Sequence, residues 1–330
     1  MRNFTFKGLF LTAVFMLLGC LSIQAANDDL ITKQITIKLD KAGTLPDRIA
    51  SSKKYKITNL KLVGEINGTD WNMIREMAGR NYQESSTEGN LSVLDLSEAK
   101  IVAGGDYYYY DNLFNNKVYT SNDEIGEYAF AYCSGLTSLT LPVGITSIGE
   151  FAFSGCSGLT SLTLPAGITS IGEYAFSGCS GLTSLNLPAG ITSIDKYAFS
   201  GCSRLTSLTL PAGITSIGEF AFSYCSGLTS IYVYAEKVPR IGRYAFEGCA
   251  SRKCTLYVPK GTYDNYRLSE FGYFENIVEF DATGIDKTTT STDVEEVSRY
   301  SVNGQRLAVP VKGLNIVKYS DGTVRKVVVK

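Results

Sequence analysis

The chain has 330 residues and a formal charge of −1, with 31 basic and 32 acidic side chains and no basic stripe. That balance speaks against nucleic acid or an anionic membrane surface as a partner. Histidine is absent, which removes Ser-His-Asp and Cys-His arrangements, His-based zinc sites and the commonest general base.

Residues 1–25 read as a targeting segment. Arg2 and Lys7 precede an apolar run from Gly8 to Ile23 that is short for a membrane span. Ile23-Gln24-Ala25-Ala26 supplies a small-residue cleavage pattern, and cleavage after Ala25 or Ala26 is the favoured expectation. The rival is lipidation of Cys20 in Leu17-Leu18-Gly19-Cys20, which resembles a bacterial lipobox with an unusually large residue at Leu18. Either route exports the chain to the outer surface or the medium, with no transmembrane span left in the mature form.

Residues 26–124 form an irregular segment. Gln34 to Leu39 and Lys56 to Ile66 are strand candidates, and Asp47 to Ser52 suits a short helix. Thr69 or Asp70 caps a predicted helix through Met77, whose buried stripe is Trp71, Ile74 and Met77. Leu91, Leu94 and Leu96 start a leucine rhythm that is interrupted by an insertion, Gly104 to Glu124. Its Tyr107, Tyr108, Tyr109 and Tyr110, with Tyr119, suit either a recognition loop or a cover over the first regular repeat.

From Ile125 to Gly248 one phrase recurs with a period of 23, held by Cys133, Cys156, Cys179, Cys202 and Cys225. Such a period is the mark of a solenoid, in which each copy buries its apolar face against its neighbours. LTSLTL alternates with period two, so Leu162 and Leu164 point inward, and Pro165 ends the strand. ITSI is a second extended piece, and GEYAFSGC is expected to make about one helical turn, with Ala175 and Phe176 inward. The aromatic stripe Tyr128, Phe151, Tyr174, Tyr197, Phe220 and Tyr244 suits packing between turns. The five periodic cysteines are expected as buried free thiols, whereas Cys249 and Cys254 break the period and are the disulfide candidates. Paired C-x-x-C spacing is missing, so no metal is expected.

The outward positions of the LTSLTL strands are Ser138 and Thr140, Ser161 and Thr163, Ser184 and Asn186, Ser207 and Thr209, then Ser230 and Tyr232. They form two hydroxyl-rich, nearly uncharged ladders, which are ligand-binding candidates together with Tyr107 to Tyr110. Serine and threonine also suit exposed strands whatever their function. Residues 249–281 are expected to close the array, 282–293 to be a polar linker, and 294–330 a small β module with turns at Asn303-Gly304 and Asp321-Gly322.

The phrase LTSLTLPAGITSIGEYAFSGCSG, Leu159 to Gly181, resembles the BspA-like subfamily of leucine-rich repeats of the treponemal 23-residue type, over about residues 91–258. KITNLKLVGEINGTDWNMIREMAG and TLYVPKGTYDNYRLSEFGYFENIVEF resemble the N- and C-terminal caps of Bacteroidetes members. The tail resembles a shortened type IX secretion sorting domain. The resemblance implies an α+β, β-rich fold: a right-handed solenoid with 23-residue repeats, two caps and a small β module. It also implies a non-enzymatic, adhesin-like surface or secreted protein without cofactor. Its partner would be a host or cell-surface protein, of the extracellular-matrix type, or a glycan, and the chain itself a monomer. The alternative is a cell-envelope spacer without a specific ligand.

Overall fold

The computed structural model describes residues 30–282, the strands Glu296–Ser301 and Arg306–Leu307, residues 312–319 and the strand Val324–Val329. The expected export segment with Cys20, and residues 283–293 of the expected linker, lie outside the described residues.

Strand β1 (Ile35–Leu39), the short helix α1 (Leu45–Arg48), strand β2 (Asn59–Ile66), helix α2 (Gly68–Met77) and strand β3 (Val93–Ile101) precede the repeats. β1, β2 and β3 pair in parallel, so the repeat sheet begins before the strict repeat does. Trp71, Ile74 and Met77 are buried on one face of α2, as their spacing predicts. The cap is Asn67, not Thr69 or Asp70. Asn67 Oδ1 accepts from Thr69 N at 3.1 Å, and the Asp70 carboxylate, three residues into the motif, takes the Asn67 N–H at 3.0 Å. The same carboxylate takes the Gly43 and Leu45 N–H groups at 2.6 and 2.8 Å, which ties α1 to α2.

Each repeat contributes one strand from LTSLTL and a two-residue strand from ITSI. Equivalent strands lie parallel and in register: Leu139 faces Leu162, Leu185 faces Leu208, and Leu208 faces Ile231. Every inward apolar residue therefore sits on its counterpart; Leu159, Ile168, Ala175, Phe176 and Cys179 are fully buried. The LTSLTL strands form two five-stranded sheets. One runs from β1 through β2, β3 and Ser138–Thr140 to Ser161–Thr163, the other from Ser184–Asn186 to Asn276–Phe280. The ITSI strands likewise form two three-stranded sheets, one ending at Ser170–Ile171 and the other starting at Ser193–Ile194.

No helical turn forms in GEYAFSGC. Its backbone makes successive four-residue turns, closed by Ala175 N to Gly172 O, Ser177 N to Tyr174 O and Cys179 N to Phe176 O. A helix is blocked because the aromatic residue is left-handed in every copy, with φ between 53° and 58° from Tyr128 to Tyr244. For a bulky side chain this costs on the order of 1–3 kcal/mol. It also turns the aromatic N–H toward the next coil, where Phe151 N donates to Glu173 O and Tyr174 N to Lys196 O, both at 3.0 Å. The rings stack: Phe151 on Tyr174 and Tyr174 on Tyr197 at 4.6 Å, within 6° of parallel. Behind this column Phe130, Phe153, Phe176, Phe199, Phe222 and Phe246 form a second, buried one.

The insertion is a hairpin, not a loop: strands β4 (Gly104–Asp111) and β5 (Asn116–Thr120) pair antiparallel. After the repeats, strands Thr255–Pro259 and Asn276–Phe280 extend the sheet, and Tyr266 of helix α3 (Tyr263–Arg267) donates its phenol to Ala235 O at 2.6 Å. The last four strands form an antiparallel sheet in which Arg299 faces Leu307 and Lys318 faces Val324. The turn residues Asn303, Gly304, Asp321 and Gly322 lie outside the described residues.

Candidate functional site

Period-two alternation buries Leu162, Leu185 and Leu208 and aims their neighbours outward. Ser161, Thr163, Ser184 and Asn186 are exposed, as is Thr140, while Ser138, Ser207, Thr209, Ser230 and Tyr232 are half-buried. The sheets align them in two columns: Ser138 faces Ser161, Thr140 faces Thr163, Asn186 faces Thr209, and Thr209 faces Tyr232. Among the described residues, the hydroxyl and amide side chains from Ser138 to Ser230 at these positions make no hydrogen bond within the protein. The threonine just before each strand behaves differently. Thr160 Oγ1 donates to Thr137 O at 3.2 Å and Thr183 Oγ1 to Thr160 O at 3.3 Å, so those hydroxyls are used to tie coils together.

The columns continue beyond the residues legible as a repeat. Before Thr140 come Asp95 and then Lys61, whose ammonium lies 3.4 Å from Asp95 and 2.6 Å from Glu98. Burial works against the Asp95 charge, yet Ser97 and Lys61 hold its pKa below the ordinary carboxylate value. At the other end Tyr232 faces Tyr257, with rings 4.4 Å apart and 6° from parallel, and Phe280 packs edge-on against Tyr232 and Tyr234. The face thus passes from an ion pair through bare hydroxyls to an aromatic patch. From Lys61 to Tyr257 it crosses eight strands, about 34 Å at the usual sheet spacing. Lys61, Asp95 and Tyr257 escaped the sequence reading because they sit outside the exact 23-residue phrase. Their signal was the alternation in KLVG, VLDL and TLYV.

The tyrosine insertion is divided by the structure. Tyr108 is buried and donates its phenol to Glu127 O at 2.8 Å. Tyr109 is buried, stacks 4.1 Å from Tyr128, and donates to Glu84. These two are therefore packing residues and leave the set of ligand candidates, because both their rings and their hydroxyls are occupied. Tyr107 and Tyr110 stay half-buried; Tyr107 packs edge-on against Tyr82 and Tyr119, and Tyr110 donates to Asn115. Tyr109 prolongs the outer aromatic column by one ring, with the Arg75 guanidinium 5.5 Å from its centroid.

The cysteines make a thiol ladder. Cys156, Cys179, Cys202 and Cys225 Sγ each donate to the phenylalanine carbonyl of the preceding coil, at 3.0–3.4 Å. Cys249 joins this ladder, donating to Phe222 O at 3.2 Å. The disulfide candidates Cys249 and Cys254 are not bridged: both are buried free thiols. One extra residue in the last copy shifts the count but leaves Cys249 in the ladder position. Burial pushes the Cys133, Cys156 and Cys179 thiols up, and Cys254 to about 11. Such thiols are poor nucleophiles. Iodoacetamide is accordingly expected to leave Cys133 to Cys254 unmodified in the native protein and to modify all of them after denaturation, read by peptide mass spectrometry. Native labelling at Cys249, or a peptide joined through Cys249 and Cys254, would refute the ladder.

Carboxylates run beside the outer aromatic column, where burial and the flanking Glu127 and Glu173 push Glu150 up. Among the described residues no group of His, Cys, Asp or Glu is placed to hold a metal ion. No described helix is long and apolar enough to cross a membrane.

The repeat geometry agrees with the comparison to known families: residues 108–253 match the BspA type Leucine rich repeat region, in six copies. By that match this segment is similar to BspA-type leucine-rich repeats. No curated protein matches the chain. Among solved structures, the chain is similar to the leucine-rich repeat protein of T. pallidum. That match has 31% identity over 42% of this chain and 63% of that one, with a TM-score of 0.39. A leucine-rich cell surface protein from Faecalibacterium prausnitzii A2-165 matches at 23% identity over 68% of this chain and 51% of that one, with a TM-score of 0.32. A leucine-rich repeat protein from Bacteroides ovatus matches at 24% identity over 49% and 59%, with a TM-score of 0.22. The chain thus spans less than two thirds of the length of each of these three proteins.

Proposed function

We propose that this protein is a non-enzymatic, adhesin-like binding protein, exported to the cell surface or secreted, that takes up a host protein of the extracellular-matrix type or a glycan on its strand face. The observation that carries this reading is the state of the outward side chains. Ser138 to Ser230 at the column positions are unspent on internal hydrogen bonds, while the adjacent threonines are fully engaged. A face of free hydroxyls, closed by the Tyr232–Tyr257 pair, offers hydrogen bonds and aromatic area to a neutral extended ligand. The family match supports a repeat binding protein; the ligand, the surface location and the sorting role of the tail belong to the proposal.

The test is saturable binding of the mature protein to immobilised matrix proteins and mucin glycans. Replacing Ser161, Thr163, Ser184 and Asn186 by lysine is expected to weaken that binding at least tenfold while the circular-dichroism melt stays within about 2 °C, as for exposed positions. No saturable binding at micromolar concentrations, or binding unchanged by the four lysines, would favour the envelope spacer instead.

A further inference from the structure

The repeat has one conspicuous departure. Where the other copies carry Gly126, Gly149, Gly172, Gly218 and Gly242, the fourth carries Asp195. A Cβ added at Gly149, Gly172, Gly218 or Gly242 would come within 2.7, 2.8, 2.6 and 2.4 Å of the preceding coil's backbone. Real side chains do not approach backbone that closely, so regular stacking leaves no room for a side chain at this position. Asp195 has one.

The hydrogen-bond ladders of both sheets are interrupted where this predicts. The interface between the coil of residues 161–179 and that of 184–202 is where both sheets are interrupted. Thr169 N, Thr215 N, Gly172 N and Gly218 N each donate to the preceding coil, at 3.0, 2.8, 2.9 and 2.8 Å. Among the described residues, the equivalent Thr192 N and Asp195 N make no such bond, and on the strand face only the Thr183 contacts to Thr160 O remain, at 3.3 Å. The turn side is continuous across the same interface. Tyr174 stacks on Tyr197 at 4.6 Å and Phe176 on Phe199 at 5.1 Å, while Tyr174 N donates to Lys196 O and Phe176 N to Ala198 O.

We propose that the array is hinged at this interface: Asp195 in place of glycine leaves the adjacent strands without their hydrogen-bond ladder, and the aromatic columns serve as the pivot. Charge works in the same direction. Burial and the like charge of Glu173 both work against the Asp195 carboxylate, while the nearby cation Lys196 lies 3.8 Å from Glu219 in the next coil. The hinge divides the solenoid into two stacks that flex about the turn side, so the gap between Ser161–Thr163 and Ser184–Asn186 opens and closes. This would let the middle of the strand face change curvature, and it holds whether or not that face binds a ligand.

Amide hydrogen exchange on the full chain tests it within one molecule. Thr192 and Asp195 amides are expected to exchange at least tenfold faster, after correction for intrinsic rates, than Thr169, Gly172, Thr215 and Gly218. Asp195→Gly restores the repeat residue and is expected to slow Thr192 and residue 195 to the rate of their neighbours. Gly218→Asp is expected to create a second fast site at Thr215 and residue 218. Equal protection of Thr192 and Thr215 in the unaltered protein, or no slowing in Asp195→Gly, would overturn the hinge.

Discussion

Phe176→Ala is expected to split the array's unfolding into two transitions and to cost about 3–5 kcal/mol, the usual penalty for emptying a buried aromatic site. The ring is fully buried between Phe153 at 5.0 Å and Phe199 at 5.1 Å, so neither neighbour can collapse into the space without breaking its own stack. The Phe176 carbonyl also accepts from Cys202 Sγ, so a backbone shift would disturb the thiol ladder. A domain's whole stability is about 5–15 kcal/mol. In a repeat array that stability is shared between neighbours, so a weakened interface uncouples the copies on either side. Phe176→Leu keeps most of the apolar volume and is expected to cost about 1 kcal/mol, close to a volume-conserving exchange. Thermal and urea unfolding followed by circular dichroism would distinguish the two variants. A single cooperative melt for Phe176→Ala at the parental temperature would contradict the stacking account.

Asp70→Ala is expected to cost a similar amount, about 3–5 kcal/mol, by a different route. Asp70 is fully buried, and its carboxylate receives three backbone N–H groups, from Gly43, Leu45 and Asn67. Removing it strands three donors away from water, and each unsatisfied buried group costs about 1–3 kcal/mol. Asp70→Asn is expected to recover only part of the loss, because its amide would turn two N–H donors toward a site built for acceptors. The damage is local to the segment before the repeats, so exchange protection of Leu60 and Leu62 amides should fall while that of Leu208 is unchanged. Equal loss at Leu208 would show that the first strands and the array unfold as one unit.

The repeated part of the fold could be read from residues alone because its physics is written at fixed spacing. Leu162, Leu164, Ala175, Phe176 and Cys179 are apolar at positions that alternate or recur every 23 residues, and all are buried. Trp71, Ile74 and Met77 announced a helix face in the same way. The outward serines and threonines followed by subtraction.

What the tertiary structure decided are properties set by the neighbouring coil. The left-handed aromatic positions, which replace the expected helical turn, exist because only that backbone sends an N–H to the next coil while stacking the ring on it. Tyr108 and Tyr109 became packing residues because Glu127 O and the Tyr128 ring stand where the hairpin folds back. Cys249 stays a thiol because its sulfur meets Phe222 O rather than Cys254. Asp195 stands where the other copies carry glycine, and what that departure means required the distance from that backbone to the coil before it. Periodicity names which residues face inward, while the separation of adjacent coils determines which side chains fit between them.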